Sequence, residues 1–186
     1  ESSVDSIVIT NATGIITQIN GAFLRLLGLE KKEQIIGQRM EAFYPDHEAE
    51  YETTTGEHIQ IGRNYFQAMQ GAIARLQEGK NIPLLENYHL RADNRIVPVE
   101  DTFSPLFDKN GALIGAVGVI RDITERKMAE KQVAESRDFL KQLFDIGLEG
   151  LIVSDAQGQI TMVNDRLAIM LRYSKNDLIG KTLGIF

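Results

Sequence analysis

The chain has 186 residues, of which 43% are hydrophobic and 25% are charged, and its formal net charge is −6. This composition is typical of a globular protein, and the negative charge argues against nucleic-acid binding. The chain has no cysteine, which excludes disulfides, thiolate metal sites and cysteine nucleophiles.

Two runs rich in β-branched residues near the start, residues 7–10 and 15–19, predict a β-hairpin. The turn between them begins with Asn11, which can accept local backbone hydrogen bonds, and ends with Gly14, which tolerates positive φ. Asn20 stands directly before a stretch with apolar residues at helical spacing, where its side chain can accept a bond from an early helical N–H. We therefore predict that Asn20 caps a helix rather than contacting a ligand.

The middle of the first half is predicted to be mainly helical. A first helix is expected over residues 42–51, because Pro45 is typical of a helix start, and a loop follows at residues 53–56. A longer helix is expected over residues 62–78, since apolar residues recur there at helical spacing and Gly79 is a typical helix stop.

Three strands are predicted next, over residues 84–91, 95–105 and 112–121, separated by turns at residues 92–94 and 108–111. The last strand is rich in small residues, which let another group approach the sheet closely. Two strands, several helices and three further strands indicate an α+β fold, with an antiparallel sheet and helices gathered on one face.

A segment without glycine or proline, residues 121–145, predicts one long linker helix. Asp122, Ile123, Thr124 and Glu125 at its start resemble a capping box with aspartate as the cap. Apolar or small residues follow in a weak heptad pattern: Ala129, Val133, Ser136, Leu140 and Leu143. The helix either packs on its own domain or forms a parallel dimer, and we favour the dimer because the helix joins two similar units.

The similarity of those units is visible in the sequence, because residues 151–164 (LIVSDAQGQITMVN) repeat residues 7–20 (IVITNATGIITQIN). With one residue dropped, residues 177–180 (DLIG) also match residues 34–37 (QIIG). A spacing this long is unlike a solenoid repeat and indicates tandem domains. We expect residues 146–186 to be the first part of a second domain whose remainder lies beyond Phe186, in a longer protein.

Residues 1–124 resemble a PAS domain of a bacterial signalling protein. The resemblance rests on the opening hairpin ITNATGIITQIN and on residues 104–127, SPLFDKNGALIGAVGVIRDITERK, which are similar to the closing strands and exit motif of that family. It implies a PAS domain at residues 1–121, a signalling helix at 122–145 and a partial second PAS domain at 146–186. It also implies a five-stranded antiparallel sheet with helices over one face, and Asp122, Ile123 and Thr124 as a signal-relay motif. The segment at residues 45–80 is longer than usual for the family, so the pocket wall is expected to be unusual.

Members of this family often enclose a small ligand, for which the pocket needs a few polar groups in an apolar wall. Seven polar residues near the expected pocket are the candidates: His58, Arg63, Asn64, Tyr65, Tyr88, Thr102 and Ser104. Only one of Tyr88 and His89 can face the pocket, because side chains alternate along a strand.

Among cofactors, a covalently bound flavin or cinnamoyl chromophore is excluded because the chain has no cysteine. Non-covalent FAD remains open, although the chain has no tryptophan to stack on the ring. Haem would need an axial histidine: His58 is followed by apolar residues and is one candidate, whereas His47 lies in a polar run typical of a solvated residue. No metal site is expected.

Catalysis is not expected in this segment. Glu100 and Asp101 are adjacent in a predicted strand, so they face opposite sides of the sheet and cannot act on one bond. The sequence favours a sensory module that binds a small ligand and signals through its helical linker. The output domain would be a histidine kinase, a diguanylate cyclase or phosphodiesterase, or a similar domain of the same protein.

The alternative is a ligand-free module for dimerisation and relay, and a homodimer is expected in either case. We expect a cytoplasmic location, either in a free protein or in a membrane-tethered one. No membrane insertion is expected in this segment, because its longest apolar run, at residues 111–120, is about half the ~20 residues that a crossing needs.

Overall fold

The computed structural model describes residues 5–182 and 184. The chain divides into two units, Glu1–Met128 and Ala129–Phe186. Within the described residues, every helix falls short of the length or the apolarity that a bilayer crossing demands.

The elements of the first unit follow in chain order: β1 (Ser6–Asn11), β2 (Ile16–Ile19), α1 (Gly21–Leu27), 3₁₀ turns at Lys32–Gln34 and Met40–Phe43, β3 (Ala49–Glu52), β4 (His58–Ile61), α2 (Arg63–Gln77), β5 (Ile82–Leu90), β6 (Ile96–Phe107) and β7 (Leu113–Asp122). The helix α3 (Thr124–Ile146) begins in the first unit and ends in the second. The second unit continues with β8 (Ile152–Ser154), β9 (Ile160–Val163), α4 (Asp165–Leu171) and α5 (Lys175–Leu178).

A five-stranded antiparallel sheet in the order β2-β1-β7-β6-β5 forms the body of the first unit. Strand β1 lies beside β7, with Ser6 opposite Ile120 and Asn11 opposite Gly115. This confirms the five-stranded antiparallel sheet expected from the sequence. It also places β1, β7, β6 and β5 side by side beneath the candidate site.

The helices α1 and α2 pack against one face of this sheet, as the sequence predicts. Phe23 and Leu27 of α1 are fully buried in one cluster with Val99 of β6 and Ile120 of β7. Met69 of α2 packs at the margin of the same cluster. Each large apolar side chain that is fully buried contributes about 1.5–3 kcal/mol to stability, so the core fixes α1 firmly on the sheet.

The prediction of a helix over residues 42–51 is wrong, because β3 in this region pairs with β4 as a two-stranded antiparallel hairpin. The alternation of burial along β3, with Tyr51 buried between exposed Glu50 and Glu52, is the two-residue period of a strand. Residues 53–56 form the connecting turn, as predicted for a loop. This hairpin lies within residues 45–80, the segment expected to be longer than usual for the family.

The second unit repeats the opening of the first down to its hydrogen bonds. Asn20 accepts a bond from the backbone N–H of Phe23 and caps α1, as predicted, and Asn164 accepts one from Leu167 and caps α4. Thr17 donates to the carbonyl of Ile9, and its counterpart in β9 donates to β8 in the same way. The sequence repeat is therefore a repeat of structure.

Candidate ligand-binding cavity

A cavity of about 360 Å³ lies between the sheet and α2. Strands β5, β6 and β7 supply one side, α2 supplies another, and the end of β1, its turn and residues 39–44 complete the lining. Small-molecule pockets span about 300–1,000 Å³, so the volume suits a compact ligand. The large aliphatic side chains of the lining come from α2, β5 and β7: Met69, Ile73, Leu76, Ile82, Leu85 and Leu113.

Two glycines of β7 allow the backbone of β1 and a side chain of β6 to lie very close to this strand. A Cβ at Gly115 would lie 2.0 Å from the backbone oxygen of Thr10, so β1 could not keep its position beside any larger residue. A Cβ at Gly118 would lie 2.4 Å from the ring of Phe103, which also lines the cavity. The small residues predicted in this strand therefore have a packing function.

Three polar side chains on β5 and β6 form a buried cluster: Asn87, His89 and Asp101. Asn87 Nδ2 donates to Asp101 Oδ2 at 2.9 Å, and His89 Nε2 lies 3.2 Å from the same oxygen. The tautomer with hydrogen on Nε2 lets His89 donate to this carboxylate. Asn87 and Asp101 line the cavity, whereas His89 packs behind them, with its ring against those of Phe23 and Tyr44.

Tyr44 adds a further polar group to the cavity wall. Burial raises the pKa of Tyr44 well above its usual range, and the nearby charge of Asp101 raises it further. Both effects disfavour the phenolate, because a second negative charge would be poorly solvated beside the carboxylate. Tyr44 therefore keeps its proton near neutral pH and remains a hydrogen-bond donor.

A charged pair also lines the cavity, away from the buried cluster. Arg39 Nη2 lies 3.1 Å from Glu41 Oε1, and both side chains are largely exposed. Because the pair is solvated, its contribution to stability is about 0–1 kcal/mol at most. Its two charges nevertheless balance each other at the edge of the cavity.

None of the seven polar residues predicted from the sequence lines this cavity. The first four lie near the β3–β4 hairpin or at the start of α2. His58 and Arg63 have exposed side chains near Glu50 and Glu48, and Asn64 is also exposed. Tyr65 is half-buried.

The hydroxyl of Tyr65 donates to the backbone oxygen of Tyr88, and burial raises the pKa of Tyr65. Tyr88, Thr102 and Ser104 lie on strands, at positions that alternate with the inward-facing Asn87, Asp101 and Phe103. They are therefore directed away from the cavity. That these three residues contact a ligand stays a prediction, and such a ligand would have to bind outside this cavity.

The sequence analysis did not predict the buried cluster of Asn87, His89 and Asp101, although the alternation of side chains along β5 and β6 gave part of the information. The alternation rule allows only one of Tyr88 and His89 to face inward, and His89 is the buried one, although neither residue lines the cavity. Glu100 and Asp101 face opposite sides, as predicted, but the sequence does not say which one faces inward. Residues 96–99 of β6 are all buried, so its hydrophobic pattern has no clear period of two.

On the opposite side of these strands, carboxylates bind the first turns of α3. Glu86 and Glu100 are directly paired across β5 and β6. Arg126 contacts Glu100 at 2.6 Å and Glu86 at 2.8 Å, and Lys127 contacts Glu86 at 2.6 Å. This group of four side chains, which we term the ionic cluster, connects the sheet to α3.

The predicted signal-relay motif lies where β7 ends and α3 begins. Asp122 Oδ1 accepts a hydrogen bond from the backbone N–H of Thr124, as expected of a capping residue. Ile123 is buried, and its N–H donates to the backbone oxygen of Pro98 in β6. The motif therefore ties the start of α3 directly to the sheet.

Comparison with known proteins agrees with this fold. The PAS domain family model matches residues 4–125, well over half of the chain. The chain belongs to the PAS domain family. A second PAS domain model matches residues 138–186, so the repeated segment is part of a second PAS unit.

Among curated proteins, Sporulation kinase A of Bacillus subtilis (strain 168) is 24% identical to this PAS protein over 170 residues, which are 91% of the chain. The chain spans about a quarter of the length of that kinase. The similarity therefore extends over both PAS units and covers only part of that kinase.

Among solved structures, an RNA-binding Light-Oxygen-Voltage receptor is 19% identical, with a TM-score of 0.52, and the match covers 76% of this chain and 36% of that one. The light state of the blue-light photoreceptor Aureochrome1 LOV is 20% identical, with a TM-score of 0.50 and coverage of 71% and 91%. These similarities support the PAS fold alone.

None of the three histidines lines the PAS cavity, so its wall offers no axial ligand of the kind that haem needs. Non-covalent FAD stays open, whereas a covalent flavin adduct would require a cysteine, which the chain lacks. His58 and His47 are exposed, while the Nε2 atom of the buried His89 contacts Asp101. Among the described residues, no group of three or more acidic or histidine side chains is arranged to hold a metal ion.

Proposed function

We propose that the first PAS unit is a sensory module that binds a small molecule in its cavity and transmits the bound state to α3. One observation carries this proposal. Successive residues of β5 and β6 face two directions: Asn87 and Asp101 line the cavity, and Glu86 and Glu100 bind the start of α3. A ligand that moves either strand therefore also moves a contact of the helix.

The physical basis of this coupling is the stiffness of paired strands. Asn87 is adjacent to Glu86, and Asp101 to Glu100, so a shift or twist of either strand reaches both sides of the sheet. A ligand that binds one strand arrangement more tightly than another changes the population of both. The ionic cluster would then report this change to α3.

We propose that this segment is itself non-catalytic and regulates an output domain of a longer signalling protein. The similarity to Sporulation kinase A supports a kinase as the output. We propose a histidine kinase, with a diguanylate cyclase or phosphodiesterase as the alternative. A cytoplasmic location, free or tethered to a membrane, fits this role. Two contacts between the sheet and the start of α3 support such a relay: the ionic cluster, and the hydrogen bond from the Ile123 N–H to the sheet.

A fragment screen by ligand-observed NMR tests the binding half of the proposal. Ala72 of α2 lines the cavity, so Ala72→Phe fills part of its volume and is expected to abolish binding of hits that the wild-type protein retains. Ala74→Phe makes the same change at an exposed position of the same helix and should leave binding intact. Equal hits with Ala72→Phe, or no hit with the wild-type protein, would leave the ligand-free relay module as the better interpretation.

Hydrogen exchange with a hit from that screen tests the relay half. Binding is expected to change exchange at residues 125–130 by about fivefold or more, within the usual range of allosteric coupling. The double substitution Glu86→Gln and Glu100→Gln should reduce this change to less than about twofold while binding persists, because it removes the charges that hold Arg126 and Lys127. Glu78→Gln, which breaks only the exposed pair with Lys80, is the control and should keep the full change.

We also propose that α3 joins two copies of the chain in a parallel dimer. Val133 and Leu140 are 70% and 61% exposed, and Leu143 is 51% exposed. Together with the exposed Ala129 they form an uncovered stripe at heptad spacing. A second copy of the same helix would cover this stripe by knobs-into-holes packing.

Sedimentation velocity tests the dimer. Replacing Val133 and Leu140 with Asp is expected to shift the protein from dimer to monomer, because four carboxylates would then lie within one apolar seam. The control variant carries Ala134→Asp and Gln142→Asp, which add the same charge outside the stripe and should leave the dimer intact. An unchanged sedimentation coefficient in the Val133/Leu140 variant would place the contact elsewhere.

A further inference from the structure

The charges of the cavity wall point to the chemistry of its ligand. Three charged side chains line the cavity: Arg39, Glu41 and Asp101. Arg39 and Glu41 contact each other, so their charges are matched within the pair. Asp101 is buried, and the His89 ring that contacts its Oδ2 atom lies behind the wall, so among the described residues no lining cation outside the Arg39–Glu41 pair matches its charge.

The hydrogen bonds of Asp101 are incomplete. Its Oδ2 atom accepts a hydrogen bond from the side-chain amide of Asn87 and also contacts His89 Nε2. Its Oδ1 atom is buried and has no hydrogen-bond partner among the described residues. Asp101 lines the cavity, and most buried polar atoms in folded proteins have a partner, so a donor on a bound ligand is a candidate partner for this oxygen.

We propose that the cavity binds a small molecule that has an apolar body and a protonated amine head group, and that Asp101 accepts a hydrogen bond from the amine. This rests on the ligand-sensing function proposed above. The aliphatic lining from α2 and β5 covers the apolar body, and the unmatched carboxylate attracts the cation. Anionic ligands are disfavoured, because Arg39 already pairs with Glu41.

Three probes of equal length test this proposal at pH 7: hexylammonium, hexanol and hexanoate. We expect hexylammonium to bind at least about tenfold more tightly than hexanol, and hexanoate to bind most weakly. Binding is measured by titration of ¹⁵N- and methyl-labelled protein. The Asn87 side-chain amide and the Met69 methyl group should shift, since both residues line the cavity.

Asp101→Asn should remove the preference for the amine while hexanol binding persists. Glu78→Gln also removes a carboxylate, but Glu78 does not line the cavity, so this control should retain the preference. If Asp101→Asn fails to fold, the shifts of Asn87 and Met69 in the wild-type protein still decide where hexylammonium binds.

Each remaining outcome overturns the amine assignment. Equal binding of hexanol or hexanoate would do so while leaving a ligand-binding cavity in place, as would loss of the preference in Glu78→Gln. Failure of all three probes would also reject the amine. The fragment screen with Ala72→Phe then decides separately whether the cavity binds any ligand.

Discussion

Gly115→Ala is expected to destabilise the first PAS unit by more than about 3 kcal/mol, the range of severe overpacking in a protein interior. The new Cβ would lie 2.0 Å from the backbone oxygen of Thr10 and 3.2 Å from the Cα of Asn11. Both contacts are with the backbone of β1, which cannot rotate away as a side chain can. Strand β1 must therefore separate from β7 at this end of their ladder.

Urea denaturation of the two proteins measures this effect, with the midpoint expected to fall. Gly71→Ala is the matched control, because a Cβ at Gly71 meets no atom within 4 Å and the residue lies inside α2. Alanine is the better helix former by about 1 kcal/mol, so the control should gain stability. A loss below about 1 kcal/mol in Gly115→Ala would contradict the close approach of β1 and β7.

Asn164→Ala is expected to destabilise the second PAS unit by about 2–4 kcal/mol, because it removes the side-chain partner of four part-buried backbone groups. Asn164 Oδ1 accepts bonds from the N–H groups of Leu151 and Leu167, and Nδ2 donates to the oxygens of Phe144 and Glu149. The side chain is fully buried, so water does not readily replace these bonds. Besides capping α4, Asn164 holds the last turn of α3 to the start of β8.

Hydrogen exchange resolves this unit separately from the first. Protection of the amides of Leu151 and Leu167 should fall by at least about thirtyfold, which corresponds to 2 kcal/mol at ~1.4 kcal/mol per factor of ten. Asn176→Ala changes an exposed asparagine in α5 of the same unit and should leave this protection unchanged. A fall of less than about threefold in Asn164→Ala would show that the cap and its three companion bonds contribute little.

The local features were the most predictable from the sequence. Asn20 was assigned as a helix cap because its position between a strand and an apolar helical pattern is sufficient to identify it, and the structure confirms this bond. The turn predicted at residues 92–94 ends with Asn94, whose φ of 62° lies in the left-handed region that asparagine tolerates best after glycine. Such features depend on a few neighbouring residues, so a single sequence contains their full signal.

The β3–β4 hairpin was missed for a physical reason. A proline after a short turn is compatible with a helix start, and the four-residue alternation of β3 is too short to outweigh it. The hairpin is stabilised by contacts that the local pattern does not contain. Tyr51 and Ile61 pack against Ile96 of the distant strand β6.

The sequence by itself determined the repeated hairpins, the long linker helix, the antiparallel order of the closing strands and membership of the PAS domain family. Only the tertiary structure decided which polar residues meet in the cavity. Asn87 and Asp101 are 14 residues apart and become neighbours through the register of β5 on β6. That register, together with which face of β6 is inward, is set by packing against α1, α2 and β7. The free energy of that packing depends on contacts between residues far apart in the chain, so no local stretch of the sequence contains it.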